Sequence, residues 1–578
     1  MRRTLRSRVK LGRYPASIGM MLRERRERFR GMPALSEKGA GGMRTLLWED
    51  LCLQVAQVGE SLLRLGLGKG EVAAICSRNR SEMLVFELAA MSVGAVACPI
   101  FAGYSGEPLD YILEHSGARF LAVCDTQRLG VVLSTRAARN LERVFLMDPL
   151  RCPKPEKAGP RVSAFATLLG GASLSSFERA LSKVRPLDPA LLMYTSGTSG
   201  RPKGVLLSHR NILSQRRALD LLWKIKPGGR ILSYLPWHHS FGGIFELFGA
   251  LYSGTHITLD DSYGKDIGVL IENFKKVRPT IFFSVPRIHQ ALIEESRRSR
   301  QAERDIFHPE LRFVFTAAAA LPKHVAEVYQ RKGVPVVEGW GLTETSPCVT
   351  VTRFDQDRRP FAVGLPIPGV TVRVAKDGEI LVKGPNVMLG YYRDPERNAR
   401  AFTRDGWLRT GDYGEIRGHG LVLKCRVDGM FKLTNGEMVI AQNVESALAE
   451  SPLVQYAIVV GGGRDYVGAL VFPNPEAVAE AARRRGLSVS AGSLLADERV
   501  RELIKAELVD ASRAIVEKYA RPKAAVLVGG VPCLANGQLT PTMKLVRSRI
   551  LADYAPEIEA MFAPSDNGRG ATWQVMRL

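Results

Sequence analysis

The sequence lacks the features of three common classes of protein. No apolar run reaches the roughly 18 residues that a membrane-spanning helix needs, so we expect a soluble protein. The eight cysteines are scattered along 578 residues, with no CxxC pair and no cluster of histidines. Free thiols in a reducing compartment therefore fit better than a disulfide framework or a zinc site. The GxxxxGK[ST] order of the Walker loop is also absent, which disfavours an ordinary P-loop ATPase.

Acidic residues are outnumbered by basic ones. Lys and Arg together number 81 and Asp and Glu 58, which gives a formal charge of +23. A basic balance suits nucleic acid, an anionic membrane face or acidic small molecules such as nucleotides. Much of the arginine lies in periodic stretches such as "MLRERRERFR", where solvated helix faces are the simpler interpretation. No basic run alternates with stacking aromatic residues, so nucleic acid is not expected as a partner.

The start of the chain contains no acidic residue before Glu24. It also lacks a long apolar core, so a secretory signal is not predicted. We interpret residues 1–20 as a disordered basic leader, and peripheral association with the inner face of a membrane stays open. The predicted location is cytoplasmic.

The hydrophobic pattern predicts an α/β protein. A chain of 578 residues is too long for a single core, so at least two domains are expected. From residue 45 to 99 the pattern alternates helix, strand, helix, strand, and similar short strands follow, among them "RILSYLPW", "PTIFFSVP" and "VPVVEGWG". This order is typical of parallel sheets with helical crossovers, in which ligands bind at the carboxyl ends of strands.

Around residue 360 the pattern changes. Glycine and β-branched residues in period-2 alternation, as in "GEIRGHGLVLKCRVDGMFKL", predict antiparallel hairpins and a small barrel-like region. A compact α+β stretch follows residue 428 and ends near residue 550. The predicted architecture is a large N-terminal domain of α/β sheets followed by a small, mobile α+β domain.

One loop carries an unusual set of side chains. After the apolar strand "ALLMY", the string "YTSGTSGRPKGV" (residues 194–205) offers hydroxyl groups and glycines before Lys203, and Ser208 is placed to cap the next helix. Glycines let backbone amides approach a polyanion, hydroxyls donate to phosphate oxygens, and a lysine adds a positive charge. The loop therefore predicts a phosphate-binding site at a strand end.

This string resembles the phosphate-loop signature of the adenylate-forming enzymes, and five further segments are similar to that family's motifs in the same order. They are "LPWHHSFGG" (235–243), "EGWGLTETSP" (338–347), "WLRTGDYG" (407–414), "CRVDGMFKLTNGE" (425–437) and "GQLTPTMKLVR" (537–547). The resemblance covers residues 20–550 and is strongest to long-chain fatty acyl-CoA synthetases. It implies that a carboxylate attacks the α-phosphorus of ATP, releasing pyrophosphate, and that a thiol then attacks the acyl-adenylate.

The sequence pattern and the resemblance together predict the domain limits. Residues 1–20 form the leader, 21–427 the large AMP-binding domain, 428–555 the small C-terminal domain and 556–578 a tail. ATP, Mg²⁺ and coenzyme A are the implied cofactor and co-substrates, with a fatty acid as the other substrate.

Roles for individual residues follow from the same resemblance. The β- and γ-phosphates would be bound by Thr195, Ser196, Gly197, Thr198, Ser199, Gly200 and Lys203. Glu344 would bind magnesium together with Thr195, and Thr343 would contact phosphate. Adenine would contact Ala318, Ala319, Trp340 and Gly341, and the ribose would bind Asp412 and Arg426.

The remaining implied roles concern the acid, the domain movement and the thiol. The acyl pocket would be lined by Trp237, His238, His239 and Phe241, although four rings could equally belong to the core. Lys544 would bridge the acyl carboxylate and the α-phosphate as a catalytic residue. Asp428 would be the interdomain hinge, and Gly436 would line the path of coenzyme A.

Two departures from the family's pattern affect these expectations. "FTAAAALP" places Ala317 and Ala318 where glycines are usual, which adds methyl groups beside the adenine site. Met543 precedes Lys544 where many relatives have glycine, and the segment "LTPTMK" is similar to that of the long-chain ligases.

Three alternatives to a fatty acid:CoA ligase remain. They are a fatty acyl-AMP ligase that loads a carrier protein, an aryl or medium-chain acid ligase, and a basic nucleic-acid- or membrane-binding protein with a vestigial nucleotide fold.

Overall fold

The computed structural model describes residues 4–39, 41–148, 160–170, 173–195, 201–317, 321–354, 358–359, 361–487, 495–533, 536–539, 545–563 and 575–578. These residues form two compact units. The first contains everything described up to Thr195, together with Arg201–Thr410 and Gly414–Leu423. The second contains Gly411–Tyr413 and the described part of Lys424–Leu578.

The strands up to residue 426 are numbered in chain order. They are β1 (Thr4–Arg6), β2 (Pro33–Gly39), β3 (Gly42–Leu47), β4 (Val72–Cys76), β5 (Val96–Ile100), β6 (Phe120–Val123), β7 (Arg143–Leu146), β8 (Arg161–Ala164), β9 (Pro189–Thr195), β10 (Lys203–Ser208), β11 (Arg230–Ser233), β12 (His256–Leu259), β13 (Ile281–Ser284), β14 (Phe313–Thr316), β15 (Val336–Trp340), β16 (Thr350–Val351), β17 (Leu365–Pro366), β18 (Thr371–Val374), β19 (Glu379–Lys383), β20 (Gly390–Tyr391), β21 (Leu408–Arg417) and β22 (Gly420–Arg426).

The helices of the first unit are α1 (Ile18–Arg28), α2 (Trp48–Arg64), α3 (Ser81–Ser92), α4 (Gly106–Ser116), α5 (Thr126–Leu133), α6 (Ser175–Lys183), α7 (His209–Trp223), α8 (Leu247–Ser253), α9 (Ile267–Val277), α10 (Pro286–Arg298), α11 (Arg300–Ile306), α12 (Lys323–Arg331) and α13 (Pro395–Ala401). No helix among the described residues is long and apolar enough to cross a membrane.

The strands assemble into four sheets. An eight-stranded sheet has the order β20-β10-β9-β5-β4-β6-β7-β8, and others have the orders β11-β12-β2-β3, β13-β14-β15-β16-β17 and β1-β18-β19-β21-β22. Strands β4 to β7 pair in parallel, as do β13, β14 and β15, whereas β18 and β19 are antiparallel. The predicted α/β class and the change to antiparallel pairing after residue 360 are confirmed.

The eight-stranded sheet is buried on both faces. Along β4, Ala73 and Ile75 belong to the main apolar core, whereas Val72, Ala74 and Cys76 belong to a second core on the opposite face. Such two-sided burial is why the strands of a parallel sheet are continuously apolar instead of alternating. The rigid sheet fixes the positions at which its strands end, and β9 ends at Thr195.

The second unit is a smaller α+β body. Its elements are β23 (Met430–Lys432), β24 (Met438–Ile440), α14 (Ala441–Leu448), β25 (Val454–Val460), β26 (Val467–Pro473), α15 (Pro475–Arg484), α16 (Glu498–Arg513), β27 (Pro522–Leu527), α17 (Arg547–Asp553), α18 (Ala555–Phe562) and β28 (Val575–Arg577). A four-stranded sheet of order β25-β26-β27-β28 separates two apolar clusters. The domain boundary at Asp428 stays a prediction.

Both ends of the chain are more ordered than the sequence suggested. Residues 1–20 were expected to be a disordered leader, yet β1 pairs antiparallel with β18 and buries Leu5. The tail predicted over 556–578 instead contains most of α18 and β28, which pairs with β27. The prediction of a disordered leader was wrong because a three-residue strand gains its stability from the sheet it joins, which local composition does not reveal.

Candidate active site

The predicted phosphate loop connects two antiparallel strands. Strands β9 and β10 pair with Thr195 opposite Lys203, so Lys203 lies on a strand and not in the loop itself. Ser208 caps α7 as predicted, because its hydroxyl accepts a hydrogen bond from the backbone N–H of Asn211. Residues Ser196, Gly197, Thr198, Ser199 and Gly200 lie outside the described residues.

Lys203 meets Glu344 although the two are 141 residues apart in the chain. The Lys203 Nζ atom lies 2.6 Å from Glu344 Oε1. Tyr391 completes the contact: its hydroxyl donates to Glu344 Oε1 at 2.8 Å and accepts from Lys203 Nζ at 3.0 Å. Three segments that the sequence separates therefore converge on one carboxylate oxygen.

A short 3₁₀ turn at Thr343–Thr345 presents Glu344. The Thr345 hydroxyl accepts from the backbone N–H of Leu342 at 2.9 Å. Asn386 donates its side-chain amide to the carbonyl oxygens of Thr345 and Cys348, at 3.0 and 2.9 Å. The turn is thus held on both sides, which fixes the direction of the Glu344 side chain.

Glu344 is a charged group in a nearly buried position, with 7% of its surface exposed. Burial alone would raise the pKa of its carboxyl, but the charge and hydrogen bond of Lys203, with a further contribution from Tyr391, hold that pKa below the usual value. The carboxylate is therefore ionised at neutral pH. Its contacts with the Lys203 and Tyr391 side chains both involve Oε1.

Two hydroxyl groups lie next to members of the Lys203–Glu344 pair: Thr343 precedes Glu344 in the chain, and Thr195 lies opposite Lys203 in the sheet. Thr343 Oγ1 lies 2.9 Å from Ser240 Oγ, which joins the 338–347 segment to the 235–243 segment. Thr195 Oγ1, opposite Lys203, is buried and has no hydrogen-bond partner among the described residues. A buried hydroxyl without a partner is costly in a finished core, so its presence favours a ligand that supplies the missing acceptor.

Strand β15 ends at Trp340, and Gly341 follows it. Trp340 is buried in the main core. At Gly341 a methyl group would lie 1.9 Å from the carbonyl oxygen of Pro347, so glycine is required there by the close approach of two backbone segments. Ala318 and Ala319, the other predicted adenine contacts, lie outside the described residues.

The four rings of the predicted acyl pocket differ in their surroundings. Trp237 has no exposed surface and belongs to the main core. Phe241 is also buried, with its ring centroid 5.7 Å from Phe315. His238 packs against Phe101 at 4.8 Å, and burial lowers its pKa to about 4. His239 is half-buried, and its Nδ1 accepts from the backbone N–H of Phe241 at 3.3 Å.

A wide helical turn follows these rings. Phe241–Glu246 is a π-helix that leads directly into α8. Such turns are rare and are frequent at functional sites. At Gly243 a methyl group would lie 2.0 Å from the Trp237 carbonyl oxygen, so the tight fold-back of this segment depends on glycine. The sequence indicated a loop here and did not reveal the π-helix.

The second unit contains the predicted ribose residues. Arg426 Nη1 donates to Asp412 Oδ1 at 3.0 Å, and the Asp412 side chain is nearly buried whereas that of Arg426 is about half exposed. The two residues predicted to share the ribose are therefore adjacent to each other.

The other predicted residues of this unit are only partly described. The backbone of Asp428 lies in a 3₁₀ turn at Val427–Gly429. Gly436 has a φ of +86° in an open turn with no atom within 4 Å of an added methyl group. Lys544 lies outside the described residues.

Sequence reasoning missed Tyr391 and Ser240. Tyr391 lies in "MLGYYRD", which the sequence indicated only as part of a hairpin region. Its contact with Lys203 depends on the pairing of β20 with β10, in which Tyr391 lies opposite Val205. No local pattern specifies that pairing. Ser240 lies inside the quoted segment 235–243, and its hydroxyl could have been considered along with the rings.

The comparisons with known proteins agree with this arrangement. The family model of the AMP-binding enzyme matches residues 22–392, and the model of the AMP-binding enzyme C-terminal domain matches residues 428–566. The chain therefore belongs to the AMP-binding enzyme family, that is, to the adenylate-forming enzymes. Within that superfamily it is most like the fatty acyl-CoA synthetases.

Three similar proteins illustrate the range. The long-chain-fatty-acid–CoA ligase FadD15 of Mycobacterium bovis is 28% identical over 89% of this chain and 93% of its own length. The peroxisomal long chain acyl-CoA synthetase 7 of Arabidopsis thaliana is 28% identical over 88% of this chain and 80% of its own. The crystal structure of the anthranilate CoA ligase AuaEII with anthranoyl-AMP has a TM-score of 0.73 at 21% identity and covers 96% of this chain and 100% of its own. The last comparison shows the shared fold.

Proposed function

We propose that the protein ligates a long-chain fatty acid to coenzyme A through an acyl-adenylate, releasing AMP and pyrophosphate. The observation that supports this most strongly is the convergence of Lys203, Glu344 and Tyr391 at the end of the strand that leads into the hydroxyl and glycine loop. A cation and an ionised carboxylate at that place suit a nucleotide phosphate and its metal ion.

Glu344 would be the first protein ligand of magnesium, and Thr195 would be the second. Mg²⁺ is usually bound by one or two carboxylates together with water and substrate phosphates. Among the described residues no group of three or more His, Cys, Asp or Glu side chains could hold a metal alone, and a single ionised glutamate fits this mode of binding. The ion would neutralise charge on the phosphates.

The chain's own residues would then position two anions. A carboxylate needs no deprotonation to attack phosphorus, so orientation and electrostatic stabilisation matter more than general base catalysis. We propose that the β- and γ-phosphates are bound by Thr195, the loop 196–200 and Lys203, and that Thr343 makes a further phosphate contact. Lys544 would bridge the acyl carboxylate and the α-phosphate.

The nucleoside and the second half-reaction complete the assignment. Ala318, Ala319, Trp340 and Gly341 would contact adenine. Asp412, with Arg426 beside it at 3.0 Å, would bind the ribose hydroxyls. Asp428 would act as the hinge between adenylation and thioester formation, and Gly436 would border the path of the thiol.

The proposal of a long acyl chain rests on two observations. The curated relatives named above act, by name, on long-chain fatty acids, and residues 539–544 read "LTPTMK", similar to that subgroup. We therefore infer that His238, His239 and Phe241 border the entrance for an apolar chain, with Trp237 behind them in the core.

A panel of acids tests the proposed function. AMP formation with ATP and Mg²⁺ is measured for straight-chain acids from acetate to oleate and for benzoates, with and without coenzyme A, and the Lys203→Met variant is the negative control. Strong AMP formation with oleate that requires coenzyme A is the expected result. Turnover restricted to benzoates or short acids would contradict the chain length. Adenylation without thioester formation would instead point to a carrier-protein thiol.

A further inference from the structure

The Lys203–Glu344 pair is bridged by a tyrosine that neither the family motifs nor the sequence analysis assigned. Because the nearly buried Glu344 and the partly buried Lys203 have opposite charges, each neutralises the other when they are in contact. Binding of a nucleotide with its metal would require each to turn to a new partner. The third group in the contact, the Tyr391 hydroxyl, therefore becomes important.

We propose that Tyr391 is a positioning residue for the adenylation half-reaction, whose hydroxyl holds Lys203 and Glu344 ready to engage ATP and its magnesium ion. This inference rests on the proposed function of the same site. It assigns Tyr391 no direct contact with substrate, since its effect passes through the two charged side chains.

The geometry makes the hydroxyl a partner of both charges. It donates to Glu344 Oε1 at 2.8 Å and accepts from Lys203 Nζ at 3.0 Å. The Lys203 Nζ atom also lies 4.8 Å from the centre of the Tyr391 ring, within the range of a cation–π contact. A phenol is one of the few groups that can satisfy a cation and a carboxylate together, because it is both donor and acceptor.

The fold fixes the place of this phenol. In the pairing of β10 with β20, Tyr391 lies opposite Val205, so Lys203, two residues earlier on β10, is its diagonal neighbour on the same face of the sheet. Asn398 holds the Tyr391 backbone from both sides, accepting from its N–H at 2.6 Å and donating to its carbonyl at 2.8 Å. A residue held by a strand pair and by a side-chain clamp is suited to orienting others.

The energetic role follows from burial. When ATP attracts Lys203 and the metal attracts Glu344, the pair opens and each group exchanges one charged partner for another, Glu344 in a nearly buried place and Lys203 in a partly buried one. Leaving a buried charge without a partner is costly. The Tyr391 hydroxyl can remain bonded to either group during this exchange, so it lowers the cost of opening the pair. Removal of the hydroxyl should therefore weaken nucleotide binding and adenylation.

The neighbouring residue provides a matched control. Tyr392 is also half-buried, and its hydroxyl donates to the Ser116 carbonyl at 3.3 Å. Within the described part of the chain, no hydrogen bond or ring contact joins it to Lys203 or Glu344. Tyr391→Phe and Tyr392→Phe therefore each remove one hydroxyl from adjacent positions, and only the first removes a contact with the charged pair.

Three measurements on the full-length variants test the proposal. The affinity for ATP with Mg²⁺ is measured by titration calorimetry without acid, adenylation is followed by oleate-dependent pyrophosphate exchange, and thioester formation is started from supplied oleoyl-AMP and coenzyme A. For Tyr391→Phe we expect ATP affinity and exchange to fall about tenfold or more, as for a lost hydrogen bond to a charged group. Thioester formation should stay within about twofold of the wild type, and Tyr392→Phe should match the wild type throughout.

Other outcomes would overturn the proposal in distinguishable ways. Wild-type affinity and exchange in Tyr391→Phe would show that the hydroxyl has no positioning role. Equal loss of both half-reactions with a lower unfolding temperature would show a merely structural role. If the wild type binds ATP but exchanges pyrophosphate with no acid of the panel, the proposed function fails, and calorimetry of the two variants still decides the role of Tyr391.

Coupling with Lys203 sharpens the result. In a Lys203→Met background the hydroxyl has no cation left to hold, so Tyr391→Phe should weaken ATP binding less than it does in the wild type. Additive effects of the two substitutions would contradict the proposal, because residues that act through one contact are not additive.

Discussion

The polar cluster at Lys203 and the ring segment at 237–241 were selected from the sequence for similar reasons but differ in the structure. The charged residues of the first come from distant segments and meet each other. The rings of the second range from fully buried Trp237, a member of the core, to half-buried His239. A buried charge needs a specific partner, whereas a ring can be satisfied by any apolar neighbour. A charged motif is thus stronger evidence for a site than an aromatic one.

The largest expected effect comes from a substitution in the polar cluster of Lys203 and Glu344. Glu344→Gln keeps the shape of the side chain but removes the charge that holds the metal and pairs with Lys203. We expect oleate-dependent pyrophosphate exchange to fall on the order of a thousandfold, as for other electrostatic contacts at a reacting phosphate.

A second glutamate serves as the control for that variant. Glu82 is likewise mostly buried and paired with an arginine, Arg80, at 2.7 Å, but it has no recorded contact with the cluster. Glu82→Gln should retain exchange. If Glu344→Gln also retained exchange and the wild-type dependence on magnesium, Glu344 would not be the metal ligand.

Substitutions in the ring segment at 237–241 should change mainly the stability of the protein. Trp237→Ala deletes a fully buried ring, which should cost about 3–5 kcal/mol of unfolding free energy. Phe354→Ala, at a ring that is 46% exposed, should cost far less. Denaturant unfolding of both variants measures the difference. A Trp237→Ala variant of wild-type stability with altered acyl-chain preference would mean that this ring is a pocket wall and not core.

The acid sensitivity of the first unit should originate from core histidines. Burial lowers the pKa of His289 to about 4, with a smaller opposing effect of the Phe315 carbonyl, whereas an unfolded histidine titrates near 6.5. Between these values the unfolded chain binds more protons than the folded one, so stability falls as the pH falls from about 6.5 to 4. His209 and His238 act in the same direction.

Replacing one of these histidines measures its contribution to the pH dependence of stability. When the pH falls from 7.5 to 5, the free energy of unfolding of His289→Gln should decrease by about 2 kcal/mol less than that of the wild type. Unfolding midpoints at the two pH values provide the comparison. An unchanged pH dependence in the variant would mean that His289 can be protonated in the folded protein.

The smallest expected effect concerns the second unit. Arg426 is about half exposed beside Asp412, and a lysine would keep the charge but lose the planar donor group. Arg426→Lys should raise the KM for ATP by roughly threefold, in the range of a weak hydrogen bond. Arg417→Lys, at another exposed arginine paired with a glutamate, Glu415, should leave the KM unchanged. Equal KM values for both variants would remove Arg426 from the nucleotide site.

The sequence was sufficient for features that depend on local chemistry. The helix–strand alternation before residue 100 and the Ser208 cap are set by side-chain periodicity and by one hydroxyl group. The sequence was insufficient where pairing joins distant segments. Strand β1 is stabilised by its pairing with β18, and Tyr391 reaches Lys203 through the register of β20 on β10. Such partners depend on topology, which a single sequence does not specify.

The ring segment shows the same limit. Four adjacent bulky residues indicated a pocket and a core equally well, because both environments bury apolar surface. Only the contacts separate Trp237, within the core, from half-buried His238 and His239. The π-helix at Phe241–Glu246 also lacked a local signal, since its glycines are explained by the close approach of the preceding backbone, at Pro236 for Gly242 and at Trp237 for Gly243.

The most direct measurement is isotope exchange by the purified wild-type protein in the absence of coenzyme A. With ATP, Mg²⁺ and oleate, labelled pyrophosphate should enter ATP, and the exchange should be lost when oleate is omitted or Glu344 is replaced by glutamine. No incorporation with oleate or with any other acid of the panel would contradict acyl-adenylate formation at the site of Lys203 and Glu344.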